Sequence, residues 1–127
     1  MSIRSIVAAG ISNPLPLDTY NGAVAAYSLR KLLTTYAGAA IRVRRSSDNT
    51  EQDIGFVAGL LDTATLLTFC GAGDGFITTW YDQKETQNLL QATALLQPMI
   101  VDTGAVVASG SKPALYFDET TSLQSRF

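Results

Sequence analysis

Phe76-Ile77-Thr78-Thr79-Trp80-Tyr81-Asp82-Gln83 is the stretch that decides the fold. β-Branched and aromatic side chains suit a pleated, half-buried surface, and the run ends abruptly in an acid and an amide. On an ideal strand Phe76, Thr78, Trp80 and Asp82 point to one face, and Ile77, Thr79, Tyr81 and Gln83 to the other. Both faces are then partly apolar, as expected of a central strand covered on two sides.

Working back from this strand, Gly71-Ala72-Gly73-Asp74-Gly75 reads as a turn. It lacks the Walker lysine and follows a helix instead of preceding one, so it is no phosphate cradle. Asp62 is placed to cap a short helix from Thr63 to about Cys70, with Leu66, Leu67 and Phe69 packing inward. Ala40-Ile41-Arg42-Val43-Arg44-Arg45 alternates like a strand with one wet side. The acids of Ser46 to Asp53 face it across a hairpin that closes through Asp53-Ile54-Gly55-Phe56-Val57. Gly22 to about Tyr36, rich in Ala and Leu, predicts a helix whose stop is Gly38. Residues 1–21, with two prolines in the Gly10–Asn21 stretch, read as an N-terminal arm and linker.

Working forward, Lys84 to Asn88 is polar. Leu89-Leu90-Gln91-Ala92 suits a strand, and Leu89 to Gln97 suits a helical turn equally. Met99 to Asp102 and Gly104 to Ala108 make a hairpin, and a turn at Ser109 to Pro113 leads into a strand at Ala114 to Asp118. The expectation is one β-rich domain over residues 22–127, a mainly β sandwich or jelly-roll-like fold with one N-terminal helix and one short helix.

The chain has 127 residues, a net charge of −2 and no histidine. Its charge gives no attraction for nucleic acid. Ser-His-Asp chemistry and His-based zinc sites are excluded. No apolar run approaches the ~20 residues of a membrane span, and the apolar stretch near Met1 is shorter than a signal-peptide core. Cys70, the single cysteine, sits in an apolar run and reads as a buried, inert thiol. The acids around Asp48 to Asp53 and Asp74 match no EF-hand spacing. No metal or cofactor is expected.

One ordered series of motifs stands out: Ala26 to Leu32, Ile41 to Asp48, Asp53 to Phe56, Trp80-Tyr81-Asp82-Gln83, Gln91-Ala92-Thr93, Gln97-Pro98 and Lys112 to Asp118. It resembles the N-terminal half of the catalytic domain of alpha-L-arabinofuranosidase B, glycoside hydrolase family 54, a concanavalin A-like sandwich. A similar block occurs in tailed-phage virion proteins. The resemblance implies that the catalytic carboxylates lie beyond this block, so none is carried over. In the family Tyr-Asp-Gln runs on into Ser-Gly-Asn-Gly-Asn; here the continuation is Lys84-Glu85-Thr86-Gln87-Asn88.

These observations lead to the expectation of a non-enzymatic structural protein of a tailed-phage virion, a tail, fibre or capsid-decorating subunit made in the host cytoplasm. The early stop after Asp118 would leave strand edges open, so a homo-oligomer or contacts with other virion proteins are expected. The alternatives are a lectin-like module, in which Trp80, Tyr81 or Tyr116 stacks on a host glycan, and a fragment of an arabinofuranosidase-like hydrolase. Structural roles are expected for Arg42, Arg44, Asp48 and Asp53 as a charge network, and for Asp82 and Gln83 in the turn that leaves the central strand.

Overall fold

A computed structural model describes residues 14–125. Of the arm and linker expected over residues 1–21, residues 1–13 lie outside the described residues. Among the described residues two short helices and eleven short strands follow in order. They are α1 (Pro16–Thr19), β1 (Ile41–Arg45), β2 (Glu51–Ile54), β3 (Phe56–Val57), β4 (Leu60–Leu61), α2 (Thr63–Cys70), β5 (Gly75–Trp80) and β6 (Leu89–Leu90). A single 3-10 turn (Ala94–Leu96) precedes β7 (Met99–Asp102), β8 (Ala105–Val106), β9 (Ala108–Ser109), β10 (Lys112–Pro113) and β11 (Gln124–Ser125). The fold is mainly β and jelly-roll-like.

β5 is the hub of a seven-stranded antiparallel sheet. One edge pairs with β1 along its length, and β1 pairs in turn with β2. The other edge is shared, with Gly75 and Phe76 facing β7 and Thr79 and Trp80 facing β6. The central position expected of this stretch is therefore its actual one, although the strand ends at Trp80 and releases Tyr81, Asp82 and Gln83 into a turn.

The expected face assignment of β5 changes for a specific reason. Ile41 lies opposite Trp80 and Arg42 opposite Thr79, but Val43 lies opposite Ile77, so the register slips at Thr78. A bulge of this kind inserts one residue and re-aims everything after it. Directly opposed side chains share a face, so Ile77 and Trp80 both point to the side occupied by Ile41 and Val43. A strict two-residue period would have separated them.

That side carries the core. Ile41, Val43, Ile54, Ile77 and Val101 are fully buried against Leu66, Phe69 and Cys70 of α2. Burying one such aliphatic side chain contributes about 1.5–3 kcal/mol. The Asp62 carboxylate caps α2 by accepting from the Thr65 N–H at 3.1 Å, as its sequence position predicted. Gly75 is where the layers meet most closely: a Cβ built there would lie 2.7 Å from Cys70 Sγ and 3.2 Å from both Val101 Cβ and Val43 Cγ1.

Two expected elements are corrected. Residues 22–36 are not a helix, because their backbone groups bond to distant partners in place of one another. The Ala26 carbonyl accepts from the Gln83 N–H, the Lys31 N–H donates to the Gly59 carbonyl, and the Leu32 carbonyl accepts from the Leu17 N–H. Tertiary bonding has overridden a favourable local propensity. Ala114 to Asp118 forms only an isolated bridge, Tyr116 with Met99. The ambiguous Leu89 to Gln97 segment contains both things it suggested, a two-residue strand and then the 3-10 turn.

Candidate functional site

The turn after β5 is built around a buried acid and a buried amide, Asp82 and Gln83, at 1% and 0% exposure. Asp82 Oδ1 accepts the backbone N–H groups of Ala26 at 2.7 Å and Lys84 at 2.8 Å. Its Oδ2 accepts those of Thr86 at 3.0 Å and Gln87 at 2.9 Å. The Thr86 hydroxyl lies 2.6 Å from both Asp82 Oδ2 and the Val24 carbonyl oxygen. Gln83 works in the other direction along the same loop: Oε1 accepts from the Leu32 N–H at 2.7 Å, and Nε2 donates to the Arg30 carbonyl at 2.8 Å. The side chains of two consecutive residues thus replace the hydrogen bonds that a helix at residues 22–36 would have made internally.

Burial alone would raise the Asp82 pKa. The hydrogen bonds from Thr86, Ala26, Lys84 and Gln87 outweigh it and hold the carboxyl down at about 2. A carboxylate in that state is an anchor and does not serve as a proton donor near neutral pH. Beside it, Tyr36, Tyr81, Asp82, Glu85 and Asn88 are among the residues lining a polar depression of ≈ 210 Å³. The Tyr81 hydroxyl donates to Asp53 Oδ1 at 2.7 Å. Partial burial, then that bond to a carboxylate, pushes its pKa up to about 12. Glu85 adopts φ +59°, the left-handed conformation for which glycine is favoured, and it stands where the resembled family has the first glycine of Ser-Gly-Asn-Gly-Asn. Asn88, also present in that pattern, accepts the Asp82 N–H at 3.0 Å.

Arg42 and Arg44 occupy the opposite, wet face of β1, whereas Arg45 lies over the Phe69 ring at 4.9 Å. Arg42 pairs with Glu51 and Asp53, each at 3.0 Å. Arg44 meets no acid: Nε donates to Gln97 Oε1 at 2.8 Å, Nη1 donates to Asn49 Oδ1 at 2.9 Å, and the guanidinium lies 4.8 Å from the centre of the Phe76 ring. Asp48 pairs instead with Arg45, through two bonds of 2.8 Å that hold its carboxyl well below the usual range. These pairs are solvent-exposed and contribute little each. Cys70 is buried, and burial pushes its thiol pKa up.

The aromatic residues singled out in the sequence do not form one platform. Trp80 is half-buried against Tyr27, with ring centroids 6.1 Å apart, and its indole N–H finds no hydrogen-bond partner among the described residues. Tyr81 belongs to the Asp53 network, and Tyr116 is exposed beside β7. Trp80 lines a larger groove of ≈ 880 Å³, with the Tyr27–Arg30 loop on one side, Leu60, Leu61 and Leu67 beneath, and the β8–β10 region with Leu115 and Phe117 opposite.

Residues that sequence reasoning missed are the accessory parts of the clamp. Thr86 and Asn88 read only as polar loop residues, and the buried amides of Gln91 and Gln97 read as nothing in particular. Gln97 Nε2 donates to the Gln91 carbonyl at 2.9 Å, tying the 3-10 turn to the sheet. The presence of Asn88, Gln91 and Gln97 in the resembled motifs was the one available signal.

The sheet, its bulged hub and the buried Asp-Gln clamp define a mainly β, jelly-roll-like scaffold. The family model described as alpha-L-arabinofuranosidase B, catalytic, matches residues 16–113, and the chain belongs to that family. A similar curated protein is a probable alpha-L-arabinofuranosidase B of Aspergillus flavus, 39% identical over 93 residues. That alignment covers 68% of this chain and 17% of the relative, so the chain spans about a sixth of the relative's length. No solved structure matches the chain.

These findings correct the expectation of a bacteriophage structural protein. A virion subunit, whether tail fibre or capsid decoration, its virion location and its lack of enzymatic activity all give way to a family defined by a glycoside hydrolase catalytic domain. The alternative of an arabinofuranosidase-like fragment is the one the family supports.

Proposed function

We propose that the chain serves an alpha-L-arabinofuranosidase-type glycoside hydrolase as part of its catalytic domain, supplying the scaffold that carries the sugar site. The observation that carries this reading is the family match over residues 16–113, a span containing both the β5 hub and the clamp. Hydrolysis of a glycosidic bond transfers the sugar to water and needs two carboxyl groups, one to protonate the leaving oxygen and one to act as base or nucleophile. Asp82, the most buried acid described here, is committed to backbone donors and is held ionised. Its part is positional: it fixes where β5 ends and where the Tyr36–Tyr81 depression opens.

A chimera tests the reading. Residues 16–113 are placed in the Aspergillus flavus relative in exchange for its matched segment, and release of arabinose from 4-nitrophenyl α-L-arabinofuranoside is followed. Retained hydrolysis is expected, with loss of folded protein when Asp82→Ala is introduced into the chimera. A chimera that folds, shown by a cooperative thermal transition, yet releases no arabinose overturns the proposal.

A further inference from the structure

The ≈ 880 Å³ groove has a composition that points to a ligand. Its size falls within the ~300–1,000 Å³ of pockets for drug-sized molecules. Most of its lining residues are apolar, and Trp80, Tyr27 and Phe117 supply three aromatic rings. None of the residues lining it is an aspartate or glutamate, while Arg30 and Lys112 both are lining residues. The ion pairs among the described residues use Arg42 and Arg45, so Arg30 and Lys112 carry their charges without a carboxylate partner. An apolar aromatic trough with two unneutralised cations is complementary to a molecule that is apolar along its body and anionic at one end.

We infer that this groove is a binding site for a small organic acid with an aromatic body, its ring system lying along Trp80 and Leu67 and its carboxylate facing Arg30 and Lys112. This site adjoins the clamp, since Gln83 Nε2 donates to the Arg30 carbonyl at 2.8 Å, but neither Asp82 nor Gln83 lines it.

The test uses the full 127-residue chain and two matched probes, 2-naphthoate and its neutral counterpart 2-naphthamide, titrated by calorimetry and by the fluorescence of Trp80, the only tryptophan. Naphthoate is expected to bind about tenfold more tightly than the amide, the factor that one charge-assisted hydrogen bond supplies. Lys112→Met and the Arg30→Met/Lys112→Met double variant are expected to remove that preference stepwise and leave amide binding unchanged. Both residues are exposed, and Lys112→Met alone is a sufficient test if the double variant does not fold. Equal affinity for the two probes, a preference undiminished in Lys112→Met, or no binding of either overturns the inference. So does sedimentation showing self-association that Leu60→Glu abolishes, since a second copy would then be the occupant.

Discussion

Asp82 accepts the amide proton of Ala26 at 2.7 Å, a hydrogen bond joining positions 56 residues apart. The same carboxylate accepts three further backbone N–H groups, and Gln83 beside it holds both Arg30 and Leu32. Two side chains from another part of the chain therefore anchor Ala26, Arg30 and Leu32 within the 22–36 segment.

Removing that acceptor is the most damaging single change we expect. Asp82→Ala leaves several buried donors without partners and should cost about 3–5 kcal/mol. Asp82→Asn keeps one acceptor but turns an NH2 group toward donors, and should cost about 2–3 kcal/mol. Urea denaturation of both variants provides the measurement; a loss below about 1 kcal/mol for the alanine variant would refute the clamp as an anchor.

The clamp also sets an acid limit. Asp82 has an ordinary value of 3.8 and lies at about 2 in the folded chain. Because the folded value is the lower one, the stabilisation is fully present above the unfolded value. It fades as pH falls from about 4 through 2, by about 2 kcal/mol in total. Tyr81 gives the opposite sign at the alkaline end: its contribution is intact below its ordinary value of 10 and is lost as pH rises toward 12. Thermal midpoints across both windows, compared with Asp82→Asn and Tyr81→Phe, should show each dependence flattened in its own variant only.

The contact between Gly75 and Cys70 offers a coupled pair. Gly75→Ala drives a methyl group to 2.7 Å from Cys70 Sγ and should cost about 1–3 kcal/mol by overpacking. Cys70→Ala opens the needed room, so the double variant should lose less than the sum of the single ones. Strict additivity in a double-mutant cycle would show that the strain is relieved elsewhere.

Glu85 sits at φ +59° without being a glycine. Glu85→Gly removes a left-handed penalty of ~1–2 kcal/mol, offset in part by the greater freedom glycine has in the unfolded chain. A net gain of about 0.5–1 kcal/mol is expected in chemical denaturation. A loss would mean that the Glu85 side chain supports the turn.

The sheet was largely legible in the sequence because its signals are local. Alternation in Ile41 to Arg45, the Asp62 cap and the β-branched run at Phe76 to Trp80 each state their own conformation. The bulge at Thr78 was not legible, since an inserted residue looks like any other until its partner strand is aligned beside it. Residues 22–36 misled for the opposite reason: their composition favours a helix, and what prevents one is held by Asp82 and Gln83 more than fifty positions away. The groove escaped notice on similar grounds, because Arg30, Trp80 and Lys112 come from three separate segments. The family resemblance was visible in the motif order, yet the same motifs drew the functional expectation toward virion proteins. Nothing in the residues themselves separates a hydrolase scaffold from a structural copy of it.

The backward reach of the clamp has a consequence for biosynthesis. On a ribosome the segment ending at Tyr36 emerges well before Asp82 and Gln83, and these two of its hydrogen-bond partners do not yet exist. Ala26 and Arg30 must wait for their anchors until β5 and the following turn have left the exit tunnel. Contacts of such long sequence separation slow folding, because loop-closure entropy is paid before any contact rewards it. The last stretch needed to order the beginning of this domain is therefore the one around which its sheet is built.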